Sequence, residues 1–146
     1  MVCRDVKMLA KVQRQLAEWS VSVFAQAAGI AALGEMGYLE KSVEQISVWR
    51  EGLAAGLERL GFHVYPGAGN FIFFRWEQEP VHIQESEGSQ GQGYLYWALL
   101  RRGILIRDCS DYRELGSGYY RVAVRTREEN NRLLQAIGKT LRTVGA

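Results

Sequence analysis

Gly103-Ile-Leu-Ile-Arg107-Asp-Cys-Ser-Asp-Tyr-Arg-Glu-Leu-Gly-Ser-Gly-Tyr-Tyr-Arg121-Val-Ala-Val-Arg125-Thr-Arg-Glu-Glu129 reads as two strands and the start of a helix. Ile104 to Arg107 is a short apolar strand following a glycine. Tyr119 to Arg125 alternates, with Tyr120, Val122 and Val124 on one face and Tyr119, Arg121, Ala123 and Arg125 on the other. Thr126-Arg-Glu-Glu129 is a capping box, in which the threonine hydroxyl and the glutamate carboxylate serve each other's backbone N–H groups. Two arginines, Arg107 and Arg121, therefore sit near the ends of two strands joined by a Gly/Ser-containing loop. An arginine in a strand must be solvated, ion-paired or bound to an anion. Glu128, Glu129, Asp108 and Asp111 are near enough in sequence to be partners. The other reading is a site for a small molecule with two negative groups, since a guanidinium meets carboxylate or phosphate with two parallel hydrogen bonds and keeps its charge. On the residues alone both readings stand.

Working outward, Leu133, Leu134, Ile137, Leu141 and Val144 give the helix opened at Thr126 an apolar stripe for the sheet. Before Gly103, Tyr94 to Arg102 is helical. Residues 77 to 93 are rich in Glu, Gln, Ser and Gly without a period, which predicts an exposed loop. Asn70 to Trp76 is apolar on both faces, hence a central strand. Phe62 to Tyr65 is a short strand, and Pro66-Gly-Ala-Gly69 a turn. From Tyr38 to Leu60, Leu39, Val43, Ile46, Trp49, Leu53, Leu57 and Leu60 recur at intervals of three and four, and Gly61 stops that helix. Ser20 can cap a helix running to about Gly34 that is apolar on nearly every side, so it is either buried or covered by a partner from outside the chain. Residues 5 to 17 form a first helix. The fold class is α+β in two layers, a small antiparallel or mixed sheet covered by helices.

The chain has 146 residues, 47% of them hydrophobic, and a net charge of +2. That is one ordinary soluble domain, with too little charge to argue for nucleic acid or a membrane surface. The strands also lack the aromatic-plus-basic signature of common sheet-based RNA readers. No apolar run approaches the ~18 residues of a membrane helix, and no signal peptide is expected. Two cysteines, Cys3 and Cys109, make neither a metal pattern nor a disulfide framework, so reduced thiols and a cytoplasmic location are expected. No metal site is expected.

The blocks Trp19-Ser-Val21, Tyr65-Pro-Gly67 with Ala68-Gly-Asn70-Phe71, Gly103 to Ser110, Tyr119 to Arg125, and Glu128-Glu-Asn130 with Arg132-Leu-Leu134 carry a resemblance. Together they resemble the C-terminal small domain of fold-type I pyridoxal-phosphate enzymes, aminotransferase class I/II. Within that group the chain is most similar to the threonine-phosphate decarboxylases of cobalamin biosynthesis and the histidinol-phosphate aminotransferases. The resemblance covers nearly the whole chain. It implies that Arg121 binds the substrate's α-carboxylate and Arg107 its phosphate, with Asn70 near the mouth of the site. Tyr112 is a further lining candidate or a tyrosine packed on its own loop.

The resemblance also implies a division of labour. The family's Schiff-base lysine, its aspartate under the cofactor ring and its phosphate cup belong to a large domain, the lysine in a Ser-x-x-Lys context. Lys7, Lys11, Lys41 and Lys139 are the chain's lysines, and none has that context. The expectation is therefore a single C-terminal domain, 1–146, without the cofactor-binding large domain. Residues 1–36 would be helices leading from that domain. No pyridoxal phosphate would be held by this chain alone, and the intact enzyme would be a homodimer acting on a phosphorylated amino acid or amine. A freestanding anion- or protein-binding module is the rival reading. Its weakness is the helix that is apolar all round.

Overall fold

A computed structural model describes residues 5–16, 20–80 and 93–144. Cys3, Trp19 and most of the expected loop at 77–93 lie outside them. The chain divides into two compact units, residues 1–40 and 41–146.

The first unit holds α1 (Val6–Gln13) and α2 (Val23–Leu33), and α3 (Met36–Arg59) begins in it. Asp5 caps α1 by accepting from the Lys7 and Met8 N–H groups. Ser22, two residues beyond the expected Ser20, caps α2 by accepting from the Ala25 N–H at 3.2 Å. No residue of α2 is buried, and Phe24 is 87% exposed.

The second unit is an antiparallel four-stranded sheet with helices on one face. Its strands are β1 (His63–Val64), β2 (Phe71–Arg75), β3 (Arg107–Asp108) and β4 (Tyr119–Ala123), in spatial order β1-β2-β4-β3. β2 is central, as its apolar faces predict. α3 from Lys41 onward, α4 (Tyr94–Leu100) and α5 (Arg127–Val144) supply the covering layer. Leu53 and Leu57 of α3, Leu95 and Leu99 of α4, and Leu133, Ala136 and Ile137 of α5 bury with Ile72 and Phe74 of β2 and Tyr120 and Val122 of β4. Phe74 is central, edge-on to Phe62 at 5.3 Å and 5.8 Å from the Tyr120 ring. Side-chain alternation sends the intervening residues, Phe71, Phe73, Tyr119 and Arg121, to the other face. There Tyr65, Phe73 and Tyr119 lie ring on ring, 5.0 to 6.4 Å apart.

One device ends both α3 and α4. Gly61 and Gly103 have φ of +88° and +71°, a conformation glycine takes without a Cβ clash. The following N–H then turns back onto the helix, Phe62 to the Leu57 carbonyl at 3.2 Å and Ile104 to that of Leu99 at 3.0 Å. This explains a departure from expectation. Ile104 still belongs to the α4 cap, so strand pairing begins only at Arg107, and the expected strand over Ile104 to Arg107 is confined to its last residue and Asp108.

Candidate functional site

Arg107 and Arg121 are directly opposed partners in the β3–β4 ladder, and Arg121 is likewise opposed to Phe73 of β2. Residues opposed in an antiparallel pair project from the same face with Cα atoms about 4.5–5.5 Å apart. The two guanidinium groups thus rise together from the face of the sheet that no core residue occupies. Asn70, Arg107 and Arg121 all line one cavity of about 1070 Å³, whose wall also includes Ile104, Ile106, Arg125, Glu129 and Arg132.

Each arginine is held differently. Arg107 lies 5.4 Å over the Tyr112 ring and donates from Nη2 to Asp111 Oδ2 at 2.6 Å. Both members of that ion pair are open to water, their side chains 46% and 62% exposed. The Arg121 guanidinium lies 5.0 Å over the Phe71 ring and has no carboxylate partner among the described residues. Two like charges directly opposed on a sheet weaken it. Here Asp111 relieves one charge, and the other stands over an aromatic face.

Asn70 is placed by its backbone. Its carbonyl accepts from the Val124 N–H at 2.8 Å, extending the β2–β4 pairing. The turn before it is pinned by Arg50 of α3, whose guanidinium donates to the Ala68 and Gly69 carbonyls at 3.0 and 3.4 Å. Across the cavity the capping box forms as expected. The Glu129 N–H donates to Thr126 Oγ1 and the Thr126 N–H to Glu129 Oε2, both at 3.3 Å. Glu129 also accepts from Arg125 at 2.7 and 3.1 Å. Arg125 and then the Thr126 side chain hold its carboxyl far below the ordinary range, at about 2. Arg125 is therefore paired, whereas Arg132 on the same wall has no ion pair among the described residues.

Sequence reasoning missed what lies behind the arginines. Tyr120 is fully buried, and its hydroxyl donates to Glu79 Oε1. Burial first, then the neighbouring Glu79 charge, push the phenol well above its ordinary range, so it remains a donor. Glu79 Oε1 also accepts from the Leu95 N–H at 3.0 Å. Asp108, 7% exposed, accepts from the Gly93 N–H at 2.6 Å and the Ser110 N–H at 2.8 Å. Glu79 and Gly93 mark the edges of the expected exposed loop, and both are wholly or partly buried. An aperiodic glutamate among others gave no signal of this.

The family model described as aminotransferase class I and II matches residues 1–137. The chain belongs to the aminotransferase class I and II family. Among its relatives in this family, the threonine-phosphate decarboxylase of Salmonella typhimurium is 32% identical over 142 residues, 97% of this chain and 36% of the relative. The histidinol-phosphate aminotransferase of Methanosarcina mazei is 35% identical over 123 residues, 84% of this chain and 30% of the relative. The crystal structure of the histidinol-phosphate aminotransferase from Clostridium acetobutylicum superposes with a TM-score of 0.68 at 26% identity, over 94% of this chain and 38% of that one. The chain spans about a third of the length of these aminotransferase-family relatives. The fold of the Clostridium acetobutylicum structure agrees with the α+β architecture described above. Among the described residues no helix is long and apolar enough to cross a membrane, and no group of three or more His, Cys, Asp or Glu side chains is set to hold a metal ion.

Proposed function

We propose that this chain is the substrate-gripping part of a pyridoxal-phosphate enzyme that acts on a phosphorylated amino acid, in the manner of the threonine-phosphate decarboxylases of cobalamin biosynthesis. The observation that carries the reading is the β3–β4 register, which opposes Arg107 and Arg121 on one open face inside one cavity. Arg121 takes the α-carboxylate; its freedom from a carboxylate partner among the described residues supports that role. Arg107 takes the phosphate, exchanging Asp111 for it, and Asn70 lies at the rim. A bound dianion also offsets the repulsion between the opposed guanidinium groups.

The cavity does not fit the aldehyde end of pyridoxal phosphate, which needs a lysine amine. No lysine lines it, and Lys7, Lys11, Lys41 and Lys139 lie elsewhere in the chain. We therefore assign these residues to the substrate and no step of the chemistry to them. The cofactor site belongs to a large domain in the intact enzyme, a homodimer in this reading. The second reading, a histidinol-phosphate aminotransferase, is supported by the 35% identity to the Methanosarcina mazei enzyme. It uses Arg107 in the same way.

The test has two arms. The intact enzyme, reconstituted with pyridoxal phosphate, is offered O-phospho-L-threonine, or histidinol phosphate with a keto-acid acceptor. Carbon dioxide from the first supports the decarboxylase, and amino transfer from the second supports the alternative. In either arm Arg107→Ala costs on the order of 2 to 5 kcal/mol of binding or transition-state stabilisation, as does Arg121→Ala in the phosphothreonine arm. Unchanged binding and turnover in both variants would overturn the assignment.

A further inference from the structure

Whether two opposed arginines recognise one molecule depends on how well their spacing is held, and β3 is poorly equipped to hold it. It pairs with β4 through Arg107 and Asp108 alone, with one further bond from the Cys109 N–H to the Tyr119 carbonyl at 2.9 Å. Among the described residues, its arginine's side-chain partners, Asp111 and Tyr112, come from the loop that follows it, so neither ties it to β4.

Directly behind, the structure closes a ring of bonds. Asp108 is the register partner of Tyr120, one step along from the Arg107–Arg121 pair. From β3, the Asp108 carboxylate takes the Gly93 N–H at the start of α4. From the same turn, the Leu95 N–H goes to Glu79 at 3.0 Å. Glu79 in turn accepts from the Tyr120 hydroxyl, which returns the ring to β4. Gly93 is the residue this close approach requires. A Cβ there would run into the Tyr120 hydroxyl and stand 2.6 Å from Glu79 Oε2. Glu79 joins the Leu95 N–H of the helix to the Tyr120 hydroxyl of β4 through part-buried bonds, which are electrostatically stronger than the same bonds in water.

We propose that Glu79 is a positioning residue for the arginine pair, fixing the spacing of Arg107 and Arg121 by tying the start of α4 to Tyr120. This rests on the two-arginine reading above. It assigns Glu79 no contact with substrate. Its signature is loss of the two-point grip without loss of either single-point contact.

The experiment measures the affinity of the full chain for O-phospho-L-threonine and for inorganic phosphate, by calorimetry, in the wild type, Glu79→Ala and Glu79→Gln. Wild type prefers phosphothreonine. Glu79→Ala lowers that preference by about tenfold while leaving inorganic phosphate bound as before, because misplaced groups lose joint contacts and keep separate ones. Glu79→Gln restores the preference, since its amide oxygen still accepts from both Leu95 and Tyr120. An unaltered preference in folded Glu79→Ala overturns the positioning role, and so does an equal loss for both ligands, which would mark a merely structural residue. If circular dichroism shows that Glu79→Ala has not folded, Tyr120→Phe removes one bond of the ring and is read by the same ratio. A wild type without preference for phosphothreonine overturns the two-arginine reading itself, and this proposal with it.

Discussion

Arg121 and Tyr120 are neighbours on β4, yet one strand position separates two physical regimes. On the open face, charges stand in water over aromatic rings, and the Arg107–Asp111 ion pair there is exposed on both sides. On the covered face, a buried phenol, the buried Asp108 and the part-buried Glu79 are tied to one another or to backbone N–H groups. The difference separates exchangeable from fixed partners. A guanidinium that gives up Asp111 for a ligand loses little, because exposed pairs contribute about 0–1 kcal/mol. A buried donor that gives up its acceptor loses several times that. Binding thus belongs to the face where partners exchange, and spacing to the face where they do not.

The comparison predicts that stability resides on the covered face. Phe74→Ala removes a fully buried ring packed on Phe62 and Tyr120 and is expected to cost about 3–5 kcal/mol in denaturant unfolding. A cost under about 1 kcal/mol would mean that the helical layer closes over the gap and that the two faces are less distinct than described.

Tyr120→Phe sharpens the contrast by keeping the ring and deleting one hydroxyl. It leaves Glu79 with one donor fewer in a partly buried place, for an expected loss of about 1–3 kcal/mol. Arg121→Ala, one residue along on the other face, is expected to stay within about 0.5 kcal/mol of wild type. Equal losses for the two, measured in the same urea titration, would break the comparison.

Acidity separates the regions by sign. Burial, as the largest effect, raises the Glu79 carboxyl above its ordinary value. A raised folded-state value means stability that is fully present below the unfolded value of ~4.3 and is lost as pH rises through the raised one. Glu129, on the exposed capping box, is lowered to about 2 by Arg125 and Thr126. Its contribution is present above ~4.3 and is lost as pH falls toward 2. Glu79→Gln should therefore flatten the decline on the upper side, and Glu129→Gln the decline on the acid side. Thermal melts of both variants across pH 2 to 8 check the signs, and interchanged slopes would refute them.

What the sequence made legible followed from period. The three- and four-residue spacing of Ile46, Trp49, Leu53 and Leu57 marked α3, and Tyr120, Val122 and Val124 marked the buried face of β4. By elimination that left Arg121 on the open face. Thr126 and Glu129 announced their own cap because capping is a local exchange of bonds. The Tyr120–Glu79–Asp108 assembly was illegible for the opposite reason. Tyr120 and Glu79 are 41 positions apart, and Gly93 and Asp108 are 15 apart, so no short window contains the exchange. The strand expected from Ile104 failed on a local competitor, the α4 cap, which claims the Ile104 N–H first.

The smallest effect on stability is also the most direct probe of the open face. Asp111 stands where, in the proposed function, a phosphate oxygen would stand, and it makes a single bond to one Arg107 nitrogen. Asp111→Asn removes that competition. Because the pair is exposed, stability should change by no more than about 0.5 kcal/mol. Affinity for inorganic phosphate should rise instead, on the order of two- to threefold at low salt, and the gain should shrink as salt screens the site. Weaker phosphate binding in Asp111→Asn would mean that Asp111 orients Arg107 for its ligand. The open face would then share the fixed character of the covered one, and the division between exchangeable and fixed partners would have to be redrawn inside the site.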